Sequence, residues 1–355
     1  MISRLHHLRS SFSSLGIDAF LVSFPPHVRY MTGFSGSNGI ALVTGTSQSL
    51  ITDGRYVEQS RREVRGWKIY ISQDSLFEEM RINRLLQPGM RVGIDGNTFV
   101  LSQFRQLKKT MPKVKFLPKV DTIEKIAIVK DEDEIGKIKK AVAVTDKVFG
   151  EILPLLKPGM AELDIAAEIS YRQRVHGADG DAFETIVASG ERGAMPHGQA
   201  SPKKIRTHEL VTLDFGSVAE GYHSDLTRTV AIGKPSAEAR KIYTIVLDAQ
   251  CRAIDAATSG MSAKDLDGIA REHIRKNGYE KFFRHSLGHG IGLQIHEPPR
   301  ISFLSKAVLA AGNVITIEPG IYLPGFGGVR IEDDIIIRDD HCEVLNRSPK
   351  KFIIL

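Results

Sequence analysis

Two stretches of this chain set carboxylates inside otherwise apolar strands, and that pattern constrains the fold more than any other. In ELVTLDFGSVAEGYHSDLTRTVAI, Asp214 ends one apolar run and Asp225 starts the next. In NVITIEPGIYLPGFGGVRIEDDIIIR, Glu318 and Glu332 interrupt runs of Val, Ile and Thr. Each stretch reads as a hairpin. A turn centred on Ala219 and Glu220 sets Asp214 opposite Asp225, and a loop centred near Gly325 sets Glu318 opposite Glu332. Opposed residues share a face, with Cβ atoms about 4.5–5.5 Å apart. Burying an ionised carboxylate without a partner costs several kcal/mol or shifts its pKa sharply. The four acids therefore require cations.

Arg228 and Arg330 are near enough in sequence to supply some of that charge, so a buried salt-bridge network is one account. It leaves unexplained the stretch FRHSLGHGIGLQIHEPP, which holds His285, His289 and His296 among glycines. Gly288 and Gly290 remove bulk on either side of His289, so its imidazole is free to approach a metal, and the glycines leave room for a peptide backbone. Two Asp, one His and two Glu suit two divalent ions about 3.5–4 Å apart. Oxygen-dominated ligation with one imidazole favours Mn²⁺ and also accommodates Co²⁺, Fe²⁺ or Zn²⁺.

Other chemistries fail on their spacing. HEPPR at His296 has no second histidine four residues on, and its prolines break the helix that a zinc-peptidase motif needs. GAMPHGQ lacks the Lys and Ser/Thr of a phosphate loop, GHGIG lacks the dinucleotide glycine spacing, and GFSGSNG carries Ser37 where a nucleophile elbow wants glycine. Two cysteines, Cys251 and Cys342, form no disulfide framework and suit a reducing, cytoplasmic setting. No apolar run reaches the roughly 18 residues that span a membrane. The Arg- and Ser-rich start reads as a first helix rather than a transit peptide, because Leu5, Leu8, Phe12 and Leu15 fall at helical spacing and DAFLVSF follows as a strand. Residues 1–123 carry 17 Lys+Arg against 9 Asp+Glu. These basic residues are scattered with little aromatic interleaving, which reads as a solvated face and disfavours nucleic acid as a partner.

The first third alternates apolar runs (AFLVSF, GIALVTG, SLITDG, KIYIS, RVGIDG, KVKFLP) with helix-like stretches, as an α/β domain with a mixed sheet does. A charged, helix-periodic run then marks a boundary, giving domains at 1–123 and 124–355. Helices are expected near 131–153, 161–177, 236–258 and 262–277. PGMAELD and SGMSAKDLD precede the second and fourth, and a carboxylate-bearing hairpin follows each, so the second domain reads as an α+β body with an internal duplication.

The ordered set LDFG, YHSDLTRT, GHGIGLQIHE, TIEPGIY and GVRIEDD resembles the pita-bread metallopeptidases. With HVRYMTGFSGSNG and TDGRY in the first domain, the whole chain is similar to their Xaa-Pro peptidases, aminopeptidase P and prolidase. The resemblance implies a creatinase-like N-terminal domain and a pita-bread catalytic domain with pseudo-twofold duplication. It implies two metal ions, with Asp214 on one, His289 and Glu318 on the other, Asp225 and Glu332 bridging, and hydrolysis by a hydroxide held between the ions. Glu318 would also carry a proton to the leaving nitrogen. His197, in AMPHGQAS, and His296 match the family's histidines that bind substrate and stabilise the tetrahedral intermediate. His285 matches a position lining the proline pocket, and Arg330 an arginine that steadies the metal site or contacts substrate; His223 and Arg228 are read as structural supports. The expected substrates are peptides with proline second, and a homodimer is expected because the first domain of such enzymes often helps wall the site across subunits. The first-domain phrases favour aminopeptidase P (Xaa-Pro aminopeptidase); prolidase (Xaa-Pro dipeptidase) is the alternative, and a ligand-poor binding adaptor of the same fold is the remoter one.

Overall fold

The computed structural model describes residues 2–355, with side chains from Arg4 onward. It divides into two compact units, Met1–Ala127 and Ile128–Leu355. The sequence boundary at 123 falls inside the helix Thr122–Ala127, which stays with the first unit.

In the first unit the strands run Lys68–Ser72, Gln48–Asp53, Gly39–Thr44, Ala19–Val22, Arg91–Asp95 and Lys115–Lys119 across one six-stranded sheet. Gly39–Thr44 runs antiparallel to both of its neighbours and the other three pairings are parallel, so the sheet is mixed. Ala19–Val22 is apolar at every position and buried on both faces, as a strand covered by helices on either side requires.

The second unit is built on helices Glu132–Ile152, Glu162–Val175, Ala237–Ala256 and Ala263–Lys276. Asp131 caps the first by accepting from the Glu134 amide while the Glu134 side chain accepts from the Asp131 amide. Ser236 and Ser262 cap the third and fourth. The two Gly-Met turns make the same bonds. The Gly159 amide donates to the Ile205 carbonyl and the Ile205 amide to the Met160 carbonyl; the Gly260 amide donates to the Leu309 carbonyl and the Leu309 amide to the Met261 carbonyl. Both glycines have positive φ, 94° and 85°. The 104-residue offset from Ile205 to Leu309 is also that from Asp214 to Glu318, so the repeat carries its carboxylate with it.

Each helix pair backs a sheet. Ile186–Ser189, Leu210–Phe215 and Leu226–Ala231 form one, antiparallel throughout. Glu297–Ile301, Gly288–Gly290, Val314–Ile317, Asp333–Ile337 and Cys342–Val344 form the other, and Gly320–Leu323 pairs with Gly327–Arg330 as a separate ribbon. The halves are stitched where the Glu332 amide donates to Thr227 and the Thr229 hydroxyl to Arg330. Among the described residues no helix is long and apolar enough to cross a membrane.

Candidate active site

The first hairpin differs from its expected register. Ala219 pairs with Tyr222 across Glu220 and Gly221, whose φ values are 50° and 78°. A two-residue hairpin turn needs positive φ at both central positions, and glycine at the second meets that demand at no steric cost. The turn is thus centred one residue later than Ala219–Glu220, and Asp214 stands opposite Thr227 instead of Asp225. The slip is even, so it does not turn the acids to opposite faces. In the second hairpin Ile317 pairs with Asp333 and Gly320 with Arg330, which leaves Glu318 and Glu332 opposite one another between the two ladders.

His289 brings the halves together. Its Nε2 lies 3.6 Å from Asp225 Oδ2 and 3.7 Å from Glu318 Oε1. Its Nδ1 lies 3.0 Å from the Gly290 carbonyl, which can only accept, so Nδ1 holds the proton and Nε2 carries a lone pair. Burial holds the imidazole neutral, its pKa pulled down to about 4. A lone pair aimed at two carboxylates is repulsive unless a cation lies between them.

The carboxylates make the same demand. Asp225, His289 and Glu332 present ligand atoms within 4.8 Å of one another. Asp214 Oδ1, Asp225 Oδ1 and Glu332 Oε1 are buried with no hydrogen-bond partner. Burial first, then the Glu332 and Asp214 charges, pushes Asp225 well above the carboxylate range. Glu318 is pushed up by burial and then by Glu332. Glu332 rises to about 8, through burial and then Asp214. The donor set fits hard divalent cations.

The arginines supply only part of this charge: Arg330 pairs with Asp214, and burial still holds Glu318 and Glu332 above the carboxylate range. Arg330 bonds only one oxygen of Asp214, while its Nε donates to Thr227 Oγ1 at 3.1 Å and Thr227 donates to Glu332 Oε2 at 2.5 Å. Arg228 turns to Asp333, 2.6 Å away, and to the Glu332 and Ser348 carbonyls. Asp334 Oδ2 accepts from the Asp225 amide at 2.9 Å.

The glycines beside His289 have a different use from the expected one. A Cβ on Gly288 would sit 2.0 Å from the Thr316 carbonyl oxygen, and one on Gly290 2.2 Å from that of Pro298. They admit the protein's own neighbouring strands rather than a substrate backbone.

His285 donates from Nδ1 to the Ser286 carbonyl, leaving Nε2 to accept from the Tyr322 hydroxyl at 2.8 Å. Tyr322 in turn accepts from Arg330 Nη1, also at 2.8 Å. Desolvation, then Arg330, drops the His285 pKa to about 3, and its ring stands edge-on to Phe283. Both His285 nitrogens are thus committed, and what remains to offer is a ring surface. His296 packs its ring 4.4 Å from that of His289, and both His296 and His197 are open to solvent. Tyr322 was not singled out from sequence. The signal was available, since in an extended strand Glu318, Gly320 and Tyr322 share a face.

The model for metallopeptidase family M24 matches residues 136–339, and that for the creatinase/prolidase N-terminal domain matches residues 4–129. The chain is 39% identical to the Xaa-Pro dipeptidase of Pyrococcus furiosus, over 99% of this chain and 100% of that one. Among solved structures, an Xaa-Pro dipeptidase from Bacillus anthracis is 40% identical with a TM-score of 0.96, covering 100% of this chain and 99% of that one. An X-Pro aminopeptidase from Thermotoga maritima is 39% identical with a TM-score of 0.91, covering 98% and 100%.

Proposed function

The chain belongs to metallopeptidase family M24, and from that premise we propose that it is an Xaa-Pro dipeptidase working with two divalent ions, Mn²⁺ first among them. The observation that carries the metal assignment is the His289 Nε2 lone pair facing Asp225 and Glu318 amid three orphaned carboxylate oxygens. Asp214 would hold one ion, His289 and Glu318 the other, with Asp225 and Glu332 between them. Bound ions supply an acidified water and a polarised scissile carbonyl.

The remaining work falls to side chains. His289 keeps its Nδ1 proton on the Gly290 carbonyl, which fixes the tautomer a ligand needs. Glu318, beside the ion it would help hold, is the carboxylate that takes a proton from the attacking water and passes it to the proline nitrogen. His197 and His296 donate to the oxygen that becomes anionic. His285, with both nitrogens occupied, offers a flat ring surface as one wall for the proline ring. An Xaa-Pro bond has no N–H, so a site selects it by shape rather than by hydrogen bonding. Free Cys251 and Cys342 support a cytoplasmic setting.

The first-domain phrases favoured aminopeptidase P. The relatives named Xaa-Pro dipeptidase, at 39% and 40% identity, weigh toward the dipeptidase. Likeness to the Thermotoga maritima X-Pro aminopeptidase keeps the aminopeptidase as a second reading. Hydrolysis of Gly-Pro beside Gly-Pro-Gly, each with Mn²⁺ and with chelator, separates them. Metal-dependent cleavage of the dipeptide alone supports the dipeptidase; release of glycine from the tripeptide instead makes the chain an aminopeptidase.

A further inference from the structure

Glu162 opens the helix Glu162–Val175 and is fully buried, yet it faces no metal-binding residue. Its carboxylate accepts five hydrogen bonds. Oε1 receives the Ser189 amide at 2.7 Å and the Ser189 hydroxyl at 2.8 Å. Oε2 receives Arg192 Nε at 2.9 Å, the Ser201 amide at 3.1 Å and the Ser201 hydroxyl at 2.6 Å. A buried carboxylate is tolerated when its lone pairs are filled this way, and the geometry of its donors is then fixed.

The donors bracket one loop. Ser189 ends the strand Ile186–Ser189, Ser201 lies twelve residues on, and His197 sits between them. Inside the loop Arg192 also donates to the Gln199 carbonyl, and the Met195 and Gly198 amides close turns onto Arg192 and Met195. Lys203 ties Ser189 to Glu209. On the far side Arg330 Nη1, which also reaches Tyr322, donates to the Pro196 carbonyl at 3.2 Å, one residue before His197. His197 itself is exposed, so its position depends on how the backbone of this loop is held.

We propose that Glu162 is a positioning residue: one buried carboxylate clamps both ends of the 189–201 loop and so aims His197 at the substrate. This rests on the substrate-handling role of His197. Misplacing a reacting group by about 1 Å can cost on the order of 10²-fold in rate, and loss of the clamp acts through that displacement.

The test is a double-mutant cycle on the full-length, Mn²⁺-loaded chain with Gly-Pro as substrate. Glu162→Gln swaps acceptor lone pairs for N–H groups. It should lower kcat by about 10²-fold with metal content unchanged, and should cost little more when added to His197→Ala. Independent, multiplying losses would overturn the proposal, as would near-native kcat in E162Q. Amide exchange on the metal-free chain gives a second readout: E162Q should speed exchange across 190–201 and leave the helix Ala237–Ala256 unchanged, and an unaltered loop contradicts the clamp. If E162Q does not fold, Ser201→Ala removes a single donor and enters the same cycle with a smaller expected loss. If H197A retains full activity, the reading of His197 is what fails, and the exchange data still judge the clamp.

Discussion

At the level of single residues, the account turns on which oxygen and nitrogen atoms lack a partner inside the protein. Asp225→Asn keeps the shape and removes the charge, so it should lose at least one ion by elemental analysis and at least about 10²-fold in kcat; two retained ions in an active variant would defeat the bridging assignment. His296 is not among the atoms converging on the carboxylates, so His296→Ala should keep both ions while kcat drops about 10²-fold, the usual cost of one lost oxyanion donor. Loss of metal instead would make it a ligand. Glu332 gives a pH dependence with a definite sign. Its pKa moves from 4.5 to about 8 in the metal-free fold, so between those values the folded chain holds a proton that the unfolded chain has released. Its contribution to stability is complete below pH 4.5 and is lost as pH rises through 8. The melting temperature of the chelated protein should therefore fall from pH 5.5 to 8.5 more steeply in the wild type than in Glu332→Gln. Only ionised carboxylates bind metal, so metal affinity should rise over the same window. An equal slope in the two proteins would show that Glu332 is not buried as described.

At the level of elements, the sequence was most legible where periodicity is long and capped. The helices expected near 131–153 and 262–277 form at Glu132–Ile152 and Ala263–Lys276, with Asp131 and Ser262 as caps. The Gly325-centred hairpin was legible because its apolar runs fix the register. The Asp214 hairpin was off by one residue at the turn because the φ demand at Glu220 and Gly221, not the spacing of the acids, selects the centre. What periodicity cannot show is the approach of distant backbones, and hence the use of Gly288 and Gly290. Two glycine substitutions expose the difference. Gly290→Ala drives a Cβ into the Pro298 carbonyl and should cost more than about 3 kcal/mol in urea unfolding, at or beyond the upper end of overpacking costs. Gly260→Ala meets nothing within 4 Å and pays only for its φ of 85°, about 1–2 kcal/mol. Similar costs for both would contradict the close strand approach.

At the level of the whole molecule, the chain is two units with separate cores, and all five metal-binding candidates lie in Ile128–Leu355. A ligand that binds only the folded state stabilises by about 2.7 kcal/mol at 100 times its Kd. Chelation should therefore raise amide exchange in Leu210–Phe215 and Val314–Ile317 while Ala19–Val22 and Arg91–Asp95 keep their protection. Equal loss in both units would mean that metal stabilises the chain as one cooperative body. The central claim, that a duplicated pair of carboxylate hairpins joined by His289 holds two cations, is tested most directly by counting them. Equilibrium dialysis of the chelator-stripped chain against Mn²⁺ should give two ions per chain, with release on chelation; saturation at one ion, or none, would contradict it.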